Sequence, residues 1–361
     1  MSQSSPPPTA PRSAPSSSEE GSSSSSQFLA RVAHPLELVE RAMRDQLSSE
    51  SALVGALGDH VLASGGKRMR PALLLLAAEL CGYDGPRRIQ VAAAVELLHT
   101  ATLLHDDVVD LSVLRRGRPS ANAVWGNRRA VLAGDFFYAR ASSMIVEDGD
   151  LEILEIFSDT IRRMAEGELL QLQRSFDATV TESHYYGVID RKSASLLSAA
   201  CEAGSILGGV TRAERRRIAE FGHELGLAFQ LRDDALDYEA TEVELGKQPY
   251  TDVREGKVTL PLLLTLKRAT AAEREEIAAV LKTAAQLADR AQHSGESAVA
   301  GEELDLSPVL EGVRRYRGVE DTVRRAQEHV DRAVAAIAAF PDGPAKQALL
   351  ESASYAAARG R

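Results

Sequence analysis

Apolar residues recur at helical spacing along most of this chain, and that periodicity limits the folds open to it. Residues 89–99 and residues 214–226 both keep an apolar face at intervals of three and four positions. Ala and Leu dominate, β-branched runs are scarce, and aromatic residues make up only 5% of the chain. This composition favours helices over sheet. The sequence therefore predicts an all-α fold.

Two segments depart from the helical pattern. Residues 1–26 are almost entirely Ser, Pro, Ala and Thr, with too little apolar surface to offset the entropy of ordering, and they predict a disordered tail. Residues 291–307 mix His, Ser, Gly and Glu between helical segments and predict a loose loop. The folded domain is expected to span residues 27–361.

Charge and cysteine content exclude several classes of protein. A formal net charge of -10 argues against a nucleic-acid binder, which needs a basic surface. Cys81 and Cys201 lie far apart without a Cys-x-x-Cys spacing, so neither a disulfide framework nor a zinc site is indicated. No signal peptide or membrane-spanning run is evident. We expect a cytoplasmic protein, for which peripheral membrane contact stays open if its product is a lipid.

The first acidic cluster is the Asp-Asp-x-x-Asp motif that ends the segment Leu-Leu-His-Asp-Asp-Val-Val-Asp at residues 103–110. The helix that carries it is predicted to start near Ile89, so Asp106 and Asp110 share a face one turn apart. Two carboxylates in that arrangement suit one Mg²⁺, with Asp107 completing the local ligand set. A single cluster of this kind is as often a solvated helix face.

A second cluster repeats the arrangement at Asp233, Asp234 and Asp237. Neighbouring like charges destabilise a helix unless a cation neutralises them. Because Mg²⁺ prefers a few carboxylates together with phosphate oxygens, two facing clusters suggest several ions that clamp one diphosphate between two helices.

Basic residues precede and follow the first cluster. Residues 65–71 read Gly-Gly-Lys-Arg-Met-Arg-Pro, which predicts an anion site at a helix expected to open at Pro71. Arg115 and Arg116 follow Asp110 closely enough for their guanidinium groups to reach the same metal-bound diphosphate. His99 lies two helical turns before Asp106 on nearly the same face. Lys192, Lys247 and Lys257 are further candidates, although each alone would equally suit an exposed lysine.

These motifs resemble, in order and across nearly the whole chain, those of the trans-type isoprenyl diphosphate synthases, the polyprenyl synthetase family. The matching blocks are residues 65–71, 99–110, 115–117, 166–171, 229–237 and 255–261. The resemblance implies a helical bundle around a deep central cavity and a homodimer. Two positions depart from the family pattern: Ser193 stands where Thr is common, and Tyr250 stands where Gly is expected.

The resemblance also implies a role for each matching residue. Isopentenyl diphosphate would bind to Lys67, Arg70, His99 and Arg116. The allylic diphosphate would bind to Arg115, Lys192, Ser193, Gln230, Lys247 and Lys257. Several Mg²⁺ ions would bind to Asp106, Asp107, Asp110, Asp233, Asp234 and Asp237. Catalysis would depend on these aspartates together with Arg115, Lys192 and Lys257.

The expected reaction is the repeated head-to-tail condensation of isopentenyl diphosphate onto an allylic diphosphate. Ala101 and Thr102 lie one turn before the first cluster, where short-chain members of the family place bulky aromatic residues. Their small size predicts a heptaprenyl to decaprenyl all-trans product, suited to a quinone side chain. The alternatives are a farnesyl or geranylgeranyl diphosphate synthase, a class I terpene cyclase, whose pocket needs more aromatic residues than this chain offers, and a non-catalytic subunit of a heteromeric synthase.

Overall fold

The computed structural model describes residues 27–63, 65–239, 250–294 and 304–358, and almost all of its regular structure is helical. The first half contains α1 (Ala33–Gln46), α2 (Ala52–Ala63), α3 (Met69–Leu80), α4 (Arg87–Val109), β1 (Leu114–Arg115), β2 (Arg118–Pro119), α5 (Ala121–Trp125), α6 (Asn127–Asp148) and α7 (Leu151–Gln173). The second half contains α8 (Glu182–Ile189), a π-helical turn (Asp190–Ala194), α9 (Ser195–Leu207), α10 (Arg212–Glu239), α11 (Thr251–Arg254), α12 (Leu260–Arg268), α13 (Ala271–Ser294), α14 (Ser307–Arg315), α15 (Gly318–Ala336) and α16 (Pro344–Ala358). The all-α prediction is confirmed.

Helix α4 lies at the centre of the larger hydrophobic core. It packs along α6 on one side and also contacts α1 and α3, while α9 packs on α3. Leu97, Leu98, Ala101 and Leu104 of α4 are fully buried in this core. Burial of an apolar side chain of this size stabilises the fold by about 1.5–3 kcal/mol. The core therefore holds the helix that ends in the first acidic cluster.

A second core forms among α8, α10 and the helices from α12 to α15. Helix α10 belongs to both cores, because Ala228 is buried in the first and Leu231 in the second. It starts at a capping box, in which Thr211 Oγ1 accepts from the Glu214 N–H and Glu214 Oε2 accepts from the Thr211 N–H. This helix carries the second acidic cluster.

Two predicted boundaries are wrong by a few residues. Helix α3 begins at Met69 and not at Pro71, so Pro71 lies within the first turn, where its missing N–H has no intrahelical partner to lose. Helix α13 continues through Ser294, so the first four residues of the predicted loop 291–307 are helical. The remainder up to residue 303 lies outside the described residues, as does the predicted tail 1–26.

No helix within the described ranges is both long enough and apolar enough to cross a membrane.

Candidate active site

The first acidic cluster lies where α4 ends. Asp110 caps the helix, and its N–H donates to the Asp106 carbonyl at 2.8 Å. The Asp107 carboxylate is buried and accepts from Arg115 Nε at 2.9 Å, while Asp110 Oδ2 accepts from Lys257 Nζ at 3.0 Å. Burial, reinforced by Glu168 and Asp110, raises the pKa of Asp106 to about 7. A carboxylate crowded in this way is most stable when a cation is close to it.

A tight hairpin brings the two arginines to this cluster. Strands β1 and β2 pair antiparallel, and the two residues between them, Arg116 and Gly117, have φ of 54° and 74°. Positive φ at both central positions is typical of the type I′ turn that suits a two-residue hairpin. Arg115 thereby contacts Asp107, and Arg116 donates to the Gly65 carbonyl. The hairpin joins the first cluster to the Gly-Gly-Lys-Arg segment.

The second acidic cluster lies near the C-terminal end of α10. Asp234 and Asp237 are buried, whereas Asp233 is half-buried. Asp234 Oδ1 accepts from Gln230 Nε2 at 2.7 Å, and Asp234 Oδ2 accepts from the Tyr185 hydroxyl. Burial raises the pKa of Asp234, and the nearby Asp233 and Asp237 add to the effect.

A cavity of about 140 Å³ opens between the π-helical turn, α10 and the segment that precedes α12. Its lining includes Lys192, Ser193, Gln230, Asp234 and Lys257. Ser193 Oγ donates to Gln230 Oε1 at 2.7 Å, so the two neutral side chains of this wall are mutually oriented. Five residues predicted to act on the allylic diphosphate or its metals thus converge on one cavity.

The two lysines of this cavity are paired with carboxylates. Lys192 Nζ lies 2.5 Å from Glu168 Oε1. Lys257 Nζ contacts Glu255 Oε2 at 2.6 Å in addition to Asp110. Burial disfavours the Lys257 ammonium, but Glu255 and Asp110 outweigh it and raise the pKa of Lys257. Both cations are therefore held in place before any anion arrives.

The residues predicted for the second diphosphate gather around the start of α3. Burial lowers the pKa of Arg70, and Asp233 lies close enough to oppose that effect. Burial, together with Arg70 and Arg116, lowers the pKa of His99 well below its ordinary value, so its imidazole is neutral at pH 7. Lys67 Nζ lies 4.5 Å from the centre of the Tyr355 ring, a cation–π distance.

The family described as Polyprenyl synthetase matches residues 51–296, more than half of the chain. The chain belongs to the polyprenyl synthetase family. Octaprenyl diphosphate synthase of Escherichia coli K12 is 42% identical over 323 residues, which cover 90% of this chain and 95% of that relative. All-trans-nonaprenyl-diphosphate synthase of Rhodobacter capsulatus is 38% identical, with 89% and 94% covered.

A solved structure supports the same membership. The crystal structure of a polyprenyl synthase from Caulobacter crescentus, in complex with calcium and isoprenyl diphosphate, superposes with a TM-score of 0.82 at 40% identity. The comparison covers 93% of this chain and 98% of that chain. The prediction of a prenyltransferase that belongs to the polyprenyl synthetase family is confirmed.

Several contacts of this polyprenyl synthetase site were not predicted. Glu168 lies within one of the motif blocks, residues 166–171, but no role was assigned to it. Tyr185 and Tyr355 carry no local signal, because each meets its partner only through the tertiary fold. Lys247, a predicted ligand of the allylic diphosphate, lies outside the described residues.

Tyr250, which stands where the family pattern has Gly, adopts the left-handed backbone conformation with φ 61° and ψ 33°. That conformation strains a residue with a side chain and suits Gly. Tyr250 therefore has a backbone conformation that Gly would adopt without strain. Its N–H donates to the Asp237 carbonyl at 3.2 Å, which ties the start of α11 to the second cluster.

The predicted chain-length residues occupy different environments. Ala101 is buried in the larger core, and Thr102 is half-buried with its hydroxyl bound to the His99 carbonyl at 2.8 Å. The cavity described above is not lined by either residue. Their effect on product length stays a prediction.

The aspartates present a donor set that suits Mg²⁺, because all are hard oxygen ligands and those of the first cluster crowd one another. Within the described residues, however, no three His, Cys, Asp or Glu side chains are close enough together to form a complete metal site.

Proposed function

We propose that this chain is a long-chain polyprenyl diphosphate synthase that condenses isopentenyl diphosphate onto an allylic diphosphate. The observation that carries the proposal is the convergence on one cavity of Lys192, Lys257 and Asp234, with Lys257 bridging to Asp110 of the other cluster. Two half-buried cations between two sets of carboxylates suit a diphosphate that arrives together with divalent metal ions. Such a site stabilises negative charge as it develops on a departing diphosphate.

Mg²⁺ is the proposed cofactor, held by Asp106, Asp107, Asp110, Asp233, Asp234 and Asp237. When bound, it would neutralise the diphosphate oxygens and so make the diphosphate a better leaving group. The Caulobacter neighbour, crystallised with calcium and isoprenyl diphosphate, supports the choice of a hard divalent cation.

We propose that the two lysines of the cavity bind the allylic diphosphate by exchanging their carboxylate partners for its oxygens. Lys192 and Lys257 now neutralise Glu168 and Asp110, and a diphosphate offers oxygens of the same charge. Gln230 adds a neutral donor, and Arg115, at the edge of the first cluster, adds a guanidinium group. Because these groups are already ordered, little reorganisation is needed when charge shifts to the leaving group.

We propose that isopentenyl diphosphate binds around the start of α3, to Lys67, Arg70, His99 and Arg116. The neutral His99 can donate one hydrogen bond without adding another positive charge to the three cations. The allylic carbon would lose its diphosphate and form a bond to the terminal double-bond carbon of isopentenyl diphosphate. An oxygen of the departed diphosphate then accepts the proton that is lost, so no dedicated side-chain base is required.

The product is proposed to be in the heptaprenyl to decaprenyl range, as the side chain of a quinone would need. Small residues at 101 and 102 support this length, and so do the octaprenyl and nonaprenyl synthases among the relatives.

The active form is proposed to be a cytoplasmic homodimer. Helix α6 carries Val131, Leu132, Tyr138 and Val146, all exposed large apolar side chains. Such a face is typical of a protein–protein interface. Light scattering after size exclusion should give a dimer, and Leu132→Glu should shift it toward the monomer.

The proposed reaction is tested with purified protein, farnesyl diphosphate, labelled isopentenyl diphosphate and Mg²⁺. We expect long linear polyprenols after the products are dephosphorylated and sized. Products that stop at geranylgeranyl length would refute the long-chain assignment, and a cyclic hydrocarbon or the absence of any product would refute the synthase itself.

A further inference from the structure

The π-helical turn Asp190–Ala194 carries two side chains of the candidate active site, Lys192 and Ser193. It lies between α8 and α9 without a break in the helical path. A π-helical turn is rare and often marks a functional site. Here the turn places Lys192 and Ser193 side by side in the wall of the cavity.

Two glycines let the neighbouring helices press on this turn from both sides. A Cβ built on Gly226 of α10 would lie 2.6 Å from Ala194 Cα, and one built on Gly167 of α7 would lie 2.9 Å from the Lys192 backbone nitrogen. Real side chains do not approach backbone atoms so closely. The turn therefore has little freedom to move toward either helix.

Asp190, the first residue of the turn, is bound by both of these helices. Its Oδ1 accepts from His223 Nε2 of α10 at 2.6 Å, and its Oδ2 accepts from Arg163 Nη2 of α7 at 2.9 Å. The hydrogen bond from His223 is the main reason that the pKa of Asp190 is lowered. Both carboxylate oxygens are thus used, each toward a different helix.

The contacts of Asp190 with His223 and Arg163 hold the same turn that carries the two side chains of the cavity. Lys192 follows Asp190 by two residues and contacts Glu168 on α7, and Ser193 donates to Gln230 on α10. The turn is therefore tied to α7 and α10 at its outer end, through Asp190, and at its inner end, through the two site residues. Loss of the contacts of Asp190 would leave the two site residues and the packing against Gly167 and Gly226 to hold the turn.

We propose that Asp190, clamped by His223 and Arg163, is a positioning residue that holds the π-helical turn so that Lys192 and Ser193 meet the diphosphate of the allylic substrate. The inference rests on the proposed function, because it assigns that substrate to the Lys192 side of the cavity. Asp190 itself touches no substrate and acts through the backbone of the turn.

The test compares Michaelis constants for the two substrates. Asp190→Ala removes both acceptors and is expected to raise KM for farnesyl diphosphate about tenfold, because charge-assisted contacts that order the binding group are lost. KM for isopentenyl diphosphate, whose proposed ligands lie around the start of α3, on α4 and in the β1–β2 hairpin, should stay within about twofold of wild type. His223→Gln, which keeps an N–H donor, should restore most of the affinity that His223→Leu loses.

Glu202→Ala is the matched control. It removes the Glu202–Arg215 contact of 2.6 Å between α9 and α10, an ion pair of similar length that does not touch the turn. We expect a similar change in thermal stability but unchanged KM for farnesyl diphosphate.

Each outcome decides one question. If wild-type protein makes no prenyl product, the proposed function is wrong. If wild type is active but Asp190→Ala raises both KM values equally, or changes neither, the positioning role is wrong. If Asp190→Ala does not fold, the His223→Gln and His223→Leu pair decides, because equal KM values for the two variants would overturn the proposal.

Discussion

Gly226→Ala tests the close packing of the candidate site most directly. The added Cβ would lie 2.6 Å from Ala194 Cα, 0.8 Å short of the 3.4 Å at which ordinary contact begins. The neighbouring atom belongs to the backbone, so the π-helical turn has to move away from α10 by roughly that amount. A displacement of about 1 Å at a catalytic site lowers the rate by as much as about 10²-fold.

We expect kcat/KM for farnesyl diphosphate to fall about 10- to 100-fold in this variant. Stability should change little, because replacing Gly by Ala within a helix gains about 1 kcal/mol and offsets part of the strain. Steady-state kinetics and thermal unfolding measure the two effects separately. The mutated residue makes no contact with the substrate, so the loss would come from the moved turn.

Gly208→Ala is the control for a steric clash as such. Its Cβ would lie 2.2 Å from Cys81 Cβ at the far end of α9, away from Lys192. This variant should lose stability and keep its kcat/KM. The reasoning is refuted if Gly226→Ala retains kcat/KM within about twofold of wild type, or if Gly208→Ala loses as much.

Three further changes probe other parts of the site. Asp106→Ala should lower turnover by about 10²-fold or more with an unchanged circular dichroism spectrum, and near-normal turnover would contradict the metal-binding role. Ala101→Phe should shorten the product by several isoprene units at a cost in stability of about 1–3 kcal/mol, since Ala101 lies in packed core. Thr102→Phe tests the same control of chain length at a half-buried position, and unchanged product length in both variants would refute it. Tyr185→Phe removes the hydroxyl that donates to buried Asp234 and should lower the free energy of unfolding in urea by about 1.5–3 kcal/mol; a change below about 0.5 kcal/mol would show that this hydrogen bond contributes nothing.

Local sequence was sufficient for the helices that carry the acidic clusters. The apolar spacing before Asp106 predicted a helix from near Ile89, and α4 begins at Arg87. The start of α3 was missed by the same two residues, and neither start is marked by a side-chain cap. Arg68, the residue before α3, has a left-handed backbone with φ 47° and no side-chain cap, so the only signal was Pro71, two residues too late.

Contacts of the acidic clusters with residues distant in sequence could not be predicted from the sequence. Lys257 and Asp110 are 147 residues apart, and Tyr185 and Asp234 are 49 apart. Lys192 and Lys257 were predicted as ligands of a diphosphate, but nothing in the local sequence indicated that each would also pair with a carboxylate. The pairing depends on how α4, α7 and the segment before α12 are placed.

The sequence by itself determined the helical class and the residues that can bind metal and diphosphate, because helix periodicity and side-chain chemistry are local properties. Only the tertiary structure decided which of those residues share a cavity, that a π-helical turn carries Lys192, and that Asp190 is bound from two helices. Such arrangements arise from the packing of helices distant in sequence. The closeness of that packing depends on where a glycine leaves space on one helix for the backbone of another.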